Sequence, residues 1–261
     1  MPRLPAPLAL RSQEVADVRD GRAAAANTLV VMCSGAFAGV LQKVRPGFQQ
    51  VTERAVEVIA GSSVGTTPRA IPVRLRGSEA ADLVILFDDA IDTLIGERLL
   101  VQGSKVRLAT SAIGVAVRRG SLKADIGSAG AVRSAMLGAS SFAYSASMSG
   151  NYVASGLLSK LDLPEEVSRR GVRVVGEPVG AVVARGEAAL GFQQMSELLP
   201  IEGIDVIGPL PADIQQLSIL SSGIPVTTKD AVGSRALVAY LLSGDARPAL
   251  IGAGLGAIVG A

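Results

Sequence analysis

Thr28-Leu29-Val30-Val31-Met32-Cys33-Ser34-Gly35-Ala36-Phe37 decides the fold. The run up to Cys33 is almost continuously apolar, as in a strand covered on both faces of a parallel sheet. Ser34-Gly35-Ala36 then turns the chain, and Phe37, Val40, Leu41, Val44 and Phe48 recur at helical spacing. The stretch therefore reads as one β-loop-α unit. A second begins with a strand over 55–60, continues through the hydroxyl-rich loop Gly61-Ser62-Ser63-Val64-Gly65-Thr66-Thr67-Pro68, and leads to a helix predicted from near Pro68 to Leu75. A third apolar run, 81–87, is followed by Asp88-Asp89, with Asp89 expected to cap a helix over 90–96. Three strands that each deliver a polar loop to a helix start predict a doubly wound sheet, with the loops gathered at the carboxyl ends of the strands.

Further along, 105–109 and 113–118 are β-like, and a second α/β set follows. It comprises a helix over 130–137, a strand over 141–144, the loop Ser145-Ala146-Ser147-Met148-Ser149-Gly150-Asn151, and a helix over 152–161. A strand over 172–175, a helix over 178–185 and the segment Gly191-Phe192-Gln193-Gln194 continue it. After the extended Gly208-Pro209-Leu210-Pro211 come 215–220 and a closing helix over 229–242. The second set is inserted into the first, so the chain crosses between lobes twice. The expected organisation is a mobile leader (1–27), lobe 1 (28–108 plus 212–261) and lobe 2 (109–211). The apolar segment 249–261 is shorter than a bilayer span and is expected to be a terminal helix and tail packed on the core.

A serine-rich turn before a helix often does no more than cap it, and Ser147 or Ser149 is the expected cap. The same residues leave backbone N–H groups, a partial positive charge and hydroxyl donors pointing one way, which suits an anion or carboxylate. Recurrence of such loops favours the second reading.

Composition narrows the chemistry. With 49% apolar and 18% charged residues among 261, the chain is globular and long enough for a sizeable core. The net charge of +2 is spread out, with no basic run interleaved with aromatics, so no nucleic-acid partner is expected. Histidine is absent, which excludes a Ser-His-Asp triad, a Cys-His dyad and a His-ligated metal. Cys33 is the lone cysteine, so no intramolecular disulfide or Cys-rich metal site can form. No cofactor or metal is expected. No export signal is expected from Arg3 and the short, proline-interrupted run after it.

Taken together, the segments 31–37, 61–68, 81–86 and 144–152, with Pro178 to Glu187, Gly191-Phe192-Gln193-Gln194 and Gly208-Pro209-Leu210-Pro211, resemble the type II periplasmic solute-binding proteins. The likeness is to the molybdate-binding branch and, within it, a subgroup resembling aconitate isomerase. It implies two Rossmann-like α/β lobes joined by two crossover strands, a small anion held in the cleft, an ABC-type transporter as partner, a monomer, and a periplasmic location; without an export signal a cytoplasmic one stays open. By position, the resemblance implies ligand contacts from Ser34 and Gly35, from Ser62 and Ser63, and from Ser145, Ser147, Ser149, Gly150 and Tyr152. Gln193 and Gln194 complete the set, Gln194 standing where the molybdate binder has tyrosine. That amide suits a planar organic di- or tricarboxylate better than a compact oxyanion. An isomerase on this scaffold needs a base, for which Cys33, Glu177 and Asp88 are the candidates, with Tyr144 or Tyr152 as acid. Arg69, Arg74 or Arg76 could neutralise a ligand carboxylate, although a solvated face is their commoner use.

Overall fold

A computed structural model describes residues 27–258. The expected leader thus lies outside the described residues, apart from Asn27. Two sheets organise the chain. The first has six strands and the second five.

β1 (Thr28–Ser34) pairs in parallel with β2 (Ala55–Gly61) and β3 (Leu83–Phe87). Its apolar run is needed because both faces are covered. Leu29, Val31 and Cys33 pack with Phe37, Val40, Leu41 and Phe48 of α1 (Gly35–Thr52), whereas Met32 packs with Ile71, Leu75 and Leu94 on the other side. Each such large side chain taken from water contributes about 1.5–3 kcal/mol. The predicted helix near Pro68 begins later: α2 spans Ile71–Arg76 with Pro72 in its first turn, so the helix-start proline is Pro72. Asp89 does not cap α3 (Asp88–Gly96), whose N-cap position is Phe87 without a side-chain bond; both aspartates lie in the first turn.

β4 (Val106–Ser111) and β5 (Ile113–Arg118) are separated by Ala112 alone, and the chain changes sheet there. The second sheet is then built from β6 (Phe142–Ser145), β7 (Gly171–Val174), β8 (Leu190–Gln194) and β9 (Ile204–Pro209). Its helices include α4 (Ala129–Gly138) and α5 (Met148–Asn151), which runs through a π-helical segment (Tyr152–Leu157) into α6 (Leu158–Lys160). The helix expected from Tyr152 therefore starts four residues earlier, inside the serine loop.

β10 (Ser218–Gly223) returns the chain to the first sheet, antiparallel to both β3 and β4. The loop before the closing helix is gathered by Asp82. Its Oδ1 accepts from Thr228 Oγ1 and Lys229 N, each at 3.0 Å, and its Oδ2 accepts from Val30 N at 3.0 Å. Asp230 caps that helix (Ala231–Leu242) by accepting from Gly233 N and pairs with Arg54 at 2.9 Å. The terminal segment is more than helix and tail: after Arg247–Gly252, β11 (Leu255–Ala257) adds an antiparallel edge to β4. Among the described residues no helix is long and apolar enough to cross a membrane.

Candidate functional site

The polar loops follow the carboxyl ends of the strands. Ser34 ends β1 opposite Gly61, which ends β2. Ser34 is buried, and its Oγ accepts from Ala36 N at 3.4 Å as the N-cap of α1. Ser63 is buried too, with Oγ accepting from Phe87 N at 3.4 Å, so the second loop is held against the end of β3. Ser62 is spent on its own turn, donating to Val64 O at 2.7 Å.

In the second lobe the serines turn toward one another. Ser145 Oγ lies 2.7 Å from Ser147 Oγ and 3.2 Å from Ser149 Oγ. Of the two expected caps, Ser147 occupies the N-cap position of α5 but makes no side-chain cap bond, and Ser149 sits within the helix. Helix and strand meet backbone to backbone here, because a Cβ on Gly150 would fall inside the Ser145 carbonyl. Met148, between these serines, lines a cavity of about 230 Å³ together with Ser63, Phe87, Arg76 and Asp89. The second and third loops therefore converge across the lobes, and Met148 also packs against the core of the first.

Gln193 and Gln194 end β8. Gln193 Oε1 accepts from Val179 N at 2.9 Å, and Gln194 Oε1 accepts from Ser111 Oγ at 2.7 Å. Gln194 Nε2 is buried without a hydrogen-bond partner, and so is Ser196 Oγ. Buried donors left empty are uncommon and costly in a protein that has no use for them.

The candidate bases are engaged elsewhere. Cys33 is fully buried, and burial pushes its thiol up to about 12, so it is neutral at physiological pH. Burial opposes charge on Asp88, but hydrogen bonds from Lys105, Ser221 and Arg107 outweigh it and hold the carboxyl below its usual range. Glu177 is clamped by Arg185 at 2.8 and 3.1 Å on the surface and is likewise held low. Tyr152 donates to Ile214 O, and Tyr144 packs beside Phe142. Of the three arginines, Arg74 pairs with Glu79 and Arg76 with Glu97, Arg76 also reaching the cavity, while Arg69 is exposed.

The sequence reading missed Glu197. It lies in the short helix Met195–Leu198, directly after Gln194, and its carboxyl group is enclosed although part of the residue's surface is not. A Cβ on Gly35 would stand 2.6 Å from Glu197 Oε1, so the carboxyl group lies against the start of α1, across from its own sheet. Burial pushes it up to about 7, against a smaller opposing effect from the Gln193 amide. Only the position could have drawn attention to it: an acid three residues past a strand's polar end, in an otherwise small and apolar helix.

This has a pH signature. A carboxyl whose folded pKa lies above its unfolded value of about 4.3 binds more protons in the folded state, so stability falls as pH rises from about 4.3 to about 7. Relative to Glu197→Gln, the wild type should lose melting temperature between pH 5 and pH 7.5. A constant difference across that range refutes the enclosed carboxyl.

Comparison with known proteins agrees with this architecture. The family model described as "Bacterial extracellular solute-binding protein" matches residues 29–256. Aconitate isomerase from Pseudomonas sp is 38% identical over 254 residues, 97% of each chain. Among solved structures, the periplasmic molybdate-binding protein of Azotobacter vinelandii superposes with a TM-score of 0.67 at 20% identity, covering 89% of this chain and 100% of that one. Peb3 from Campylobacter jejuni gives 0.64 at 12% identity, over 88% and 100%. Two lobes, two crossovers and a match along nearly the whole described chain place this protein in the bacterial extracellular solute-binding family, with the type II periplasmic binding protein fold.

Proposed function

We propose that this chain binds a small di- or tricarboxylate between its lobes and interconverts cis- and trans-aconitate. The observation that carries the proposal is the end-to-end likeness to an aconitate isomerase at 38% identity. The site is compatible in chemistry: the hydroxyls of Ser34, Ser63 and the Ser145-Ser147-Ser149 group, with the unpartnered Gln194 amide, offer donors to carboxylate oxygens without a metal or cofactor. Donors fixed at helix starts also stabilise the enolate-like charge that builds up when a proton leaves carbon next to a carboxylate.

The family match favours a second reading, capture of the same acid for delivery to an ABC-type transporter. Proton NMR of the purified protein with cis-aconitate separates the two. Appearance of the trans isomer supports the isomerase, whereas a raised melting temperature without turnover supports the carrier. A shift with molybdate and none with aconitate or citrate overturns both. Ser63→Ala and Ser147→Ala should each weaken binding by about tenfold or more, since a hydrogen bond to a charged group contributes about 1.5–3 kcal/mol. Unchanged affinity by calorimetry in both variants would remove these loops from the site.

A further inference from the structure

We infer that Glu197 is the group that carries the proton between the two ends of the substrate's allylic unit, an assignment that rests on the isomerase reading above. Three observations of placement support it. First, Glu197 lies in the short helix that follows β8 of the second sheet but sets its carboxyl group against Gly35, at the start of α1 beside the first sheet, so it stands where the two lobes meet. Second, Gln194 and Ser196, its neighbours in the chain, each carry a buried polar atom, Nε2 and Oγ, without a hydrogen-bond partner. Third, among the described residues no cation pairs with it: Asp88, Glu177 and Asp230 are all salt-bridged, whereas the side chain acting on Glu197 is the neutral Gln193 amide.

The step balances within one group. The Glu197 carboxylate takes a proton from the methylene carbon next to a substrate carboxylate; the C–H bond breaks, an O–H bond forms, and the electron pair spreads over the three-carbon unit into the carboxylates. The same oxygen returns the proton to the far carbon of that unit, and the double bond moves by one position. No oxidant, reductant or co-reactant is consumed. Near neutral pH the group is available in both protonation states, as such a shuttle requires.

The test compares wild type, Glu197→Gln and Glu197→Asp by NMR turnover, with calorimetric affinity for trans-aconitate measured alongside. The amide keeps the shape but cannot hold the proton, so kcat should fall at least about a hundredfold while affinity stays within about threefold. Aspartate keeps the carboxyl group one methylene short and should retain turnover above that of the glutamine variant, which guards against a loss due to misfolding alone. No turnover in the wild type defeats the isomerase reading itself. Turnover in the wild type that survives in Glu197→Gln, or that is lost together with affinity, overturns the assignment.

Discussion

Gly150→Ala is expected to cost about 3 kcal/mol or more of stability and to abolish the ligand-induced rise in melting temperature. The carbonyl oxygen, carbonyl carbon and amide nitrogen of Ser145 all crowd the place where a Cβ would stand. Relief must therefore come from moving the end of β6 or the start of α5, not from a rotamer change, and forced overpacking of this kind typically costs 1–3 kcal/mol or more. Moving either also separates Ser145 from Ser147 and Ser149, so stability and binding fall together. Gly39→Ala is the matched control: it lies on the exposed side of α1 with nothing within 4 Å of the new carbon, and should stabilise by roughly 0.5–1 kcal/mol. Urea unfolding of both variants provides the check. Equal midpoints would mean that the strand and helix do not touch as described.

Asp82→Ala should be comparably damaging for an electrostatic reason. The carboxylate is buried and satisfies Val30 N, Thr228 Oγ1, Lys229 N and Asp230 N, while its main-chain carbonyl accepts from Ser234 Oγ. Removing it leaves three donors facing a void, since Asp230 N also donates to Thr228 Oγ1, at a cost of about 1–3 kcal/mol for each one that water cannot reach. We expect a total loss of about 3–5 kcal/mol. Asp82→Asn, which keeps one acceptor oxygen, should fall between alanine and wild type. A midpoint change equivalent to less than about 1 kcal/mol for alanine would show that the loop before the closing helix is held by other contacts.

The β1–α1 unit was legible because burial on both strand faces leaves an apolar run, and a helix packed on one side leaves a 3.6-residue period. The inserted second set and the double crossing followed from repetition of the same pattern. The helix start at Met148 was not legible, because Ser147-Met148-Ser149-Gly150 has the composition of a loop; it becomes helix only because the hydroxyls satisfy one another and Gly150 allows close approach to β6. β11 was hidden for a similar reason, since Leu255-Gly256-Ala257 is too short to show alternation and owes its strand to the waiting edge of β4. Glu197 was invisible for a different cause. Its carboxyl group lies against Gly35, some 160 residues away, and no local pattern records that it will be enclosed there.

The bond from Ser111 to Gln194 joins the two sheets at their narrowest connection. Ser111 is the last residue of β4 before the crossing, paired on its own side with Ser218 and Leu255, whereas Gln194 is paired with Ile113 just beyond it. One end of the Gln194 amide, Oε1, is thus tied to the first sheet beside the crossing, and the other, Nε2, is buried without a hydrogen-bond partner. Any rotation of one lobe against the other must turn this amide or stretch its bond to Ser111, so the orientation of a single buried planar group follows the angle between the lobes.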